Sequence, residues 1–123
     1  MTKRVELTAE LFQQVMDEVA VLVTDRCQDA FFPVEDWTLS DWSNALAGEA
    51  GEACNIIKKV RRGDFISTTH LNVEARGLLA DELADVFIYL NLLAARAGID
   101  LGAAIVKKFN EVSDKKGSEV RLT

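Results

Sequence analysis

Apolar residues recur every three to four positions through most of the chain, and few stretches alternate with the period of two that a half-buried strand needs. The spacing predicts an all-α fold. Leu11, Val15, Val19 and Leu22 mark a first apolar stripe running toward Cys27, and Thr8 is suited to cap the helix that carries it. Phe31, Phe32 and Pro33 end that helix, because the residue before a proline is pushed out of helical geometry. Thr38 with Asp41 resembles a capping box for a second helix, with Asp where Glu or Gln is usual and Ser40 as another possible cap. This helix is expected to run to about Arg62 and to stop at Gly63. Residues 64–72, DFISTTHLN, show no clear period and read as a loop. A third helix spans about Val73 to Ala97 with Gly98 as its stop, and Asp100 caps a fourth that reaches about Lys116. Gly117 then opens a short polar tail ending at Thr123.

The third helix is apolar on more than one side. Leu79, Leu83, Val86, Leu90 and Leu93 form one stripe, and Leu78, Phe87, Ile88 and Leu92 widen it. Such a helix must be covered on several faces, more than a small four-helix chain offers by itself. The expectation is a four-helix bundle-like fold whose core is completed by oligomerisation, as a homodimer or homotetramer. The 123 residues suit one domain spanning 1–123, and 49% apolar with 28% charged residues is an ordinary globular balance. No stretch is long and apolar enough for a membrane helix, and MTKRVELTAE lacks the apolar core of a signal peptide, so a cytoplasmic protein is expected. A net charge of −6 argues against a general nucleic-acid surface. Cys27 and Cys54 belong to no zinc or disulfide spacing and are expected to be buried, reduced thiols.

The chemistry lies in two similar segments. Leu46-Ala47-Gly48-Glu49-Ala50-Gly51-Glu52 and Leu79-Ala80-Asp81-Glu82-Leu83-Ala84-Asp85 both read Leu-Ala-x-Glu-x-x-acid, 33 positions apart. Acids three apart on a helix project about 60° from one another with a rise of ~4.5 Å, so each pair can aim at one point. On facing helices the four carboxylates would repel severely unless cations neutralised them. Hard divalent ions with oxygen preference, magnesium or manganese, meet that need. The small residues around Glu49 and Glu52 would let a ligand or another helix approach closely, and the mid-helix glycines, Gly48 and Gly51, cost roughly 1 kcal/mol each against alanine.

Along the same face of the third helix Tyr89 and then Arg96 follow Glu82, and on the second helix Lys59 lies below Glu52. Tyr89 is a candidate contact for a base or phosphate, and Lys59 for a phosphate, with Lys58, Arg61 and Arg62 beside it. Ordinary roles compete with both: a core aromatic, and favourable charge near a helix C-terminus. His70 falls in the predicted loop without a helical partner, and no Glu-x-x-His motif of the di-iron bundles is present. Neither a GxxxxGK[ST] phosphate loop nor a nucleophilic triad is apparent.

GEAGE at 48–52, KKVRRGD at 58–64, DELADVFIYL at 81–90 and KFNEVSDKKG at 108–117, taken in order, resemble the MazG-like all-α nucleoside triphosphate pyrophosphohydrolases. The resemblance implies a magnesium-dependent enzyme that cuts between the α and β phosphates, releasing a nucleoside monophosphate and pyrophosphate, within a dimer or pair of dimers. By it the metal ligands are Glu49, Glu52, Glu82 and Asp85, and the basic and amide contacts to substrate are Lys107 and Asn110, with Lys59 alongside. The substrate is expected to be a nucleoside triphosphate, deoxy in its sugar, and the task nucleotide-pool house-cleaning. Glu52 is the candidate base that takes a proton from the attacking water. Phe31, Phe32, Trp37 and Trp42 are candidates for stacking on the nucleobase, or else an aromatic core cluster. The alternative is a non-catalytic helical module for nucleotide sensing or dimerisation. A different metal-dependent phosphohydrolase is a third reading, distinguished by inorganic phosphate as product.

Overall fold

The computed structural model describes residues 6–61, 71 and 73–123. Among them four α-helices follow in order: α1 Ala9–Ala30, α2 Leu39–Arg61, α3 Val73–Arg96 and α4 Leu101–Lys116, with a short 3-10 turn at Val34–Asp36 between α1 and α2. The fold class is all-α. Arg62, Gly63, His70 and most of the predicted 64–72 loop lie outside the described residues.

The helix starts are chemically fixed. Thr8 Oγ1 accepts the Leu11 N–H at 3.1 Å and Asp100 Oδ1 accepts that of Ala103 at 3.0 Å. Such caps satisfy orphan first-turn donors and are each worth about 1 kcal/mol. Thr38 and Asp41 cap reciprocally: the Thr38 N–H donates to Asp41 Oδ2 at 2.9 Å, and the Asp41 N–H donates to Thr38 Oγ1 at 3.1 Å. A shorter acid therefore completes the box that Glu usually makes. The Thr38 N–H, and then its hydroxyl, hold the Asp41 carboxyl below its usual range. Gly98 (φ 69°) and Gly117 (φ 67°) adopt the left-handed conformation just past α3 and α4, which glycine reaches without a Cβ penalty.

The core gathers where α1, the 3-10 turn, the start of α2 and the second half of α3 meet. Cys27, Val34, Trp42 and Leu92 are buried there, with Val23, Phe32, Trp37, Ile88, Tyr89 and Leu93 packed around them. The most extensive helix interface is α2 on α3, while α1 touches both α3 and α4. At Gly102 a Cβ would come within 2.9 Å of Met16 Cβ, so the missing side chain lets α4 close onto α1. Beyond Gly117 the chain folds back as a strap. Asn110 both donates to Leu122 O at 2.7 Å and accepts from Leu122 N at 2.9 Å, while the Ala9 N–H at the start of α1 donates to Thr123 O at 2.9 Å.

One expectation is corrected and one is narrowed. Cys27 is buried but Cys54 is exposed, because position 54 falls off the α2 face, carried by Ala53 and Val60, that turns inward. Gly48 and Gly51 are exposed with nothing within 4 Å of a would-be Cβ, so no close approach within this chain explains them. The 3-10 turn at Val34–Asp36 is three residues long, too short for an apolar period to mark it in the sequence. On α3 Leu78, Leu83 and Phe87 remain exposed, at 42%, 54% and 42% of their surface. Among the described residues no helix is long and apolar enough to cross a membrane.

Candidate metal and nucleotide site

The α2–α3 pairing brings the two acid segments together. One carboxylate oxygen each from Glu49, Glu82 and Asp85 lie within 4.8 Å of one another, and all three residues are half-buried. Oε2 of Glu49 and Oε2 of Glu82 are buried with no hydrogen-bond partner. A buried carboxylate oxygen left bare is costly, because it has lost water and gained no donor. Two such atoms in one acidic cluster are what a cation's coordination sphere would satisfy, and oxygen donors of this kind suit a hard divalent ion. Glu52 is exposed and outside this tight trio, but it shares a hydrogen bond with Glu82.

The electrostatics follow from the crowding. The Glu82 carboxyl is pushed up to about 7, first by its hydrogen bond with Glu52, then by burial, then by the charges of Glu52, Glu49 and Asp85. Glu49 is also raised, chiefly by burial and then by Glu52 and Asp85, against a lowering hydrogen bond with Glu82. Without a cation the cluster relieves repulsion by keeping a proton.

Beside the acids opens a cavity of about 280 Å³. Its walls come from α1 (Val23, Arg26, Cys27), the following segment (Phe31, Phe32, Trp37), Trp42 of α2, and Asp85, Ile88, Tyr89 and Leu92 of α3. Positions 85, 88, 89 and 92 are one face of a helix, so α3 presents an acid of the trio and the pocket wall on a single stripe. Trp42 is 2% exposed, with its indole N–H donating to Val34 O at 3.0 Å, so it forms the floor with its ring. The rings form a chain, with centroids 4.9 Å apart for Phe32 and Trp37, 4.6 Å for Trp37 and Trp42, and 6.2 Å for Trp42 and Tyr89. Phe31 is 72% exposed at the rim, where its ring is open to solvent. The Tyr89 hydroxyl is raised above its usual range by burial, then by the charges of Glu49 and Asp85, which places it within the field of the acids.

Lys59, Lys107 and Asn110 do not line this cavity. Lys59 is exposed on α2. Lys107 is exposed on α4, 3.5 Å from Glu111, and α4 packs on α1 rather than on the α2–α3 pair. Asn110 is engaged within the chain, its side-chain nitrogen donating to Leu122 O and its oxygen accepting from Leu122 N. Sequence reasoning missed the α1 wall. Val23, Arg26 and Cys27 stand at helical spacing toward the same cavity, a signal visible only once α1 is known to face α3.

Residues 38–117 match the MazG nucleotide pyrophosphohydrolase domain, and the chain belongs to that family. No curated protein matches the chain. The matched span runs from the capping box of α2 to the glycine that ends α4, so it includes both acid segments. Membership supports a nucleotide pyrophosphohydrolase activity in general, dependent on metal, for which the acidic trio is a candidate centre.

Proposed function

We propose that this protein is a magnesium-dependent nucleoside triphosphate pyrophosphohydrolase that converts a deoxynucleoside triphosphate to the monophosphate and pyrophosphate, as a single domain over 1–123. The observation that supports this most is the pair of bare, buried oxygens on Glu49 and Glu82 beside an aromatic cavity. The acids fit a cation and the rings fit a base, with Asp85 belonging to both. Magnesium, or manganese in its place, would be held by Glu49, Glu82 and Asp85 with Glu52 adjacent, and when bound would neutralise the triphosphate and activate water.

The chain's own groups divide the remaining work. Glu52 is the candidate to accept the proton of the attacking water, a role supported by its exposure and by its hydrogen bond with Glu82 at the cluster's edge. Phe31, Phe32 and Trp37 offer faces for stacking, Trp42 backs them, and the Tyr89 hydroxyl feels the charges of Glu49 and Asp85. Lys59 is the candidate phosphate contact on α2. Lys107 lies on α4, which packs on α1, and in a homo-oligomer its phosphate contact would come from a second copy. A homodimer or homotetramer is consistent with the exposed Leu78, Leu83 and Phe87 of α3 and with the open Gly48 and Gly51 of α2. Removal of unwanted nucleotides from the pool is the cellular task that fits.

Product analysis with a panel of ribo- and deoxynucleoside triphosphates, with and without magnesium, tests the reading. Pyrophosphate and monophosphate should appear only with the metal, and Glu82→Gln and Glu52→Gln should each abolish release in a folded protein. No pyrophosphate from any substrate would leave a non-catalytic module as the surviving reading.

A further inference from the structure

The turn that walls the cavity is held at three backbone carbonyls by side chains from three different helices. Phe32 O accepts from Cys27 Sγ of α1 at 3.2 Å, Val34 O from Trp42 Nε1 of α2 at 3.0 Å, and Trp37 O from Arg96 Nε of α3 at 2.9 Å. The thiol is a weak donor and the indole is a neutral one. The guanidinium bond is charge-assisted and therefore the strongest of the three. It also joins residues 59 apart in sequence, and it acts at Trp37, the last aromatic before the α2 cap.

Phe32 and Trp42 have other restraints. The Phe32 N–H donates to Cys27 O at 2.8 Å, and Trp42 is buried at 2% exposure within α2. Trp37 stands in extended backbone (φ −102°, ψ 144°) between the turn and the helix, half-buried, with its ring in tilted contact with those of Phe32 and Trp42. Arg96 is on the same α3 stripe as Asp85, since eleven residues are about three helical turns, or roughly 16 Å of rise. One stiff helix thus carries an acid of the metal trio in its middle and the anchor of the aromatic wall at its end.

We propose that Arg96 is a positioning residue for nucleotide binding: its bond to Trp37 O sets the aromatic wall at a fixed distance and angle from the acids, so that a stacked base delivers its triphosphate to them. This rests on the reading of the cavity as a base pocket. Arg96 does not line the cavity, so it acts through Trp37. Its effect is preorganisation, which lowers the ordering cost of binding and leaves the acid chemistry unaltered.

The test compares Arg96→Met, which keeps the aliphatic bulk without a donor, with Arg96→Lys, which restores a charged donor, in the full chain. Arg96→Met should raise KM on the order of tenfold for the triphosphate turned over fastest by the wild type, with kcat within about twofold. Mn2+ binding without nucleotide should be unchanged, and Arg96→Lys should recover most of the KM. Acrylamide should quench tryptophan emission more readily in Arg96→Met, because a freed Trp37 is the accessible indole while Trp42 stays buried. An unchanged KM in a folded Arg96→Met, or a KM rise matched by equal loss of Mn2+ binding and not relieved by Arg96→Lys, would overturn the proposal. If the wild type released no pyrophosphate, the pyrophosphohydrolase reading would fall by itself. The quenching experiment would then still judge the tether, since identical quenching in wild type and Arg96→Met refutes it.

Discussion

The crowding of four carboxylates makes a quantitative statement about metal affinity and pH. Glu82 titrates at about 7 in the metal-free protein, first because of its hydrogen bond with Glu52 and then because of burial and neighbouring charge. A cation that needs the Glu82 carboxylate must displace that proton. Below the midpoint the apparent affinity for Mn2+ should therefore fall about tenfold per pH unit, and above about pH 8 it should level off. Calorimetry in buffers of different ionisation enthalpy should find close to one proton released per metal near pH 6 and far less near pH 8.5. Glu52→Ala removes the largest cause of the shift, so the knee should move toward the ordinary carboxylate range.

Folding stability carries the opposite sign in the apo protein. Glu82 and Glu49 are both raised in the fold, which therefore binds more protons than the unfolded chain at intermediate pH. Their contribution is fully present below the unfolded value of 4.5 and is lost as pH rises through about 7 for Glu82. The metal-free protein should melt at a lower temperature at pH 7.5 than at pH 5.5, and saturating Mn2+ should reverse the loss at pH 7.5. An affinity for Mn2+ that is flat from pH 5.5 to 8 would refute the account of the acid cluster.

Other outcomes follow from packing. Gly102→Ala puts a methyl 2.9 Å from Met16 Cβ, and an overpacked contact of this kind should cost about 1–3 kcal/mol in urea denaturation. Gly51→Ala meets nothing within the chain and should instead stabilise the isolated helix by roughly 0.5–1 kcal/mol, so a loss of oligomer or activity there would locate an outside partner at α2. Asn110→Ala breaks both bonds to Leu122, and at about 1 kcal/mol for each bond it should lower the melting temperature and speed amide exchange at residues 120–123. A raised KM with unchanged exchange would instead return Asn110 to the substrate.

Glu49, Glu52, Glu82 and Asp85 were legible as a unit because acid-x-x-acid spacing on a helix is a local property, fixed by 3.6 residues per turn. Helix boundaries were equally local, since Thr8, Thr38 with Asp41, and Asp100 cap by hydrogen bonds to residues three positions away. Family membership could be read for the same reason, as ordered short motifs within helices. The cavity beside the acids was not legible, because Val23, Arg26 and Cys27 meet Asp85 and Tyr89 only after α1 docks on α3. Nor was the fate of Asn110, an amide that looks free on α4 until the chain returns to it twelve residues later. The sequence by itself determined the helices, their caps and the two acid pairs, all products of short-range geometry. Only the tertiary structure decided which three acids converge, which oxygens lose water, and that Arg96 reaches Trp37, because these depend on distances between helices that no local pattern encodes.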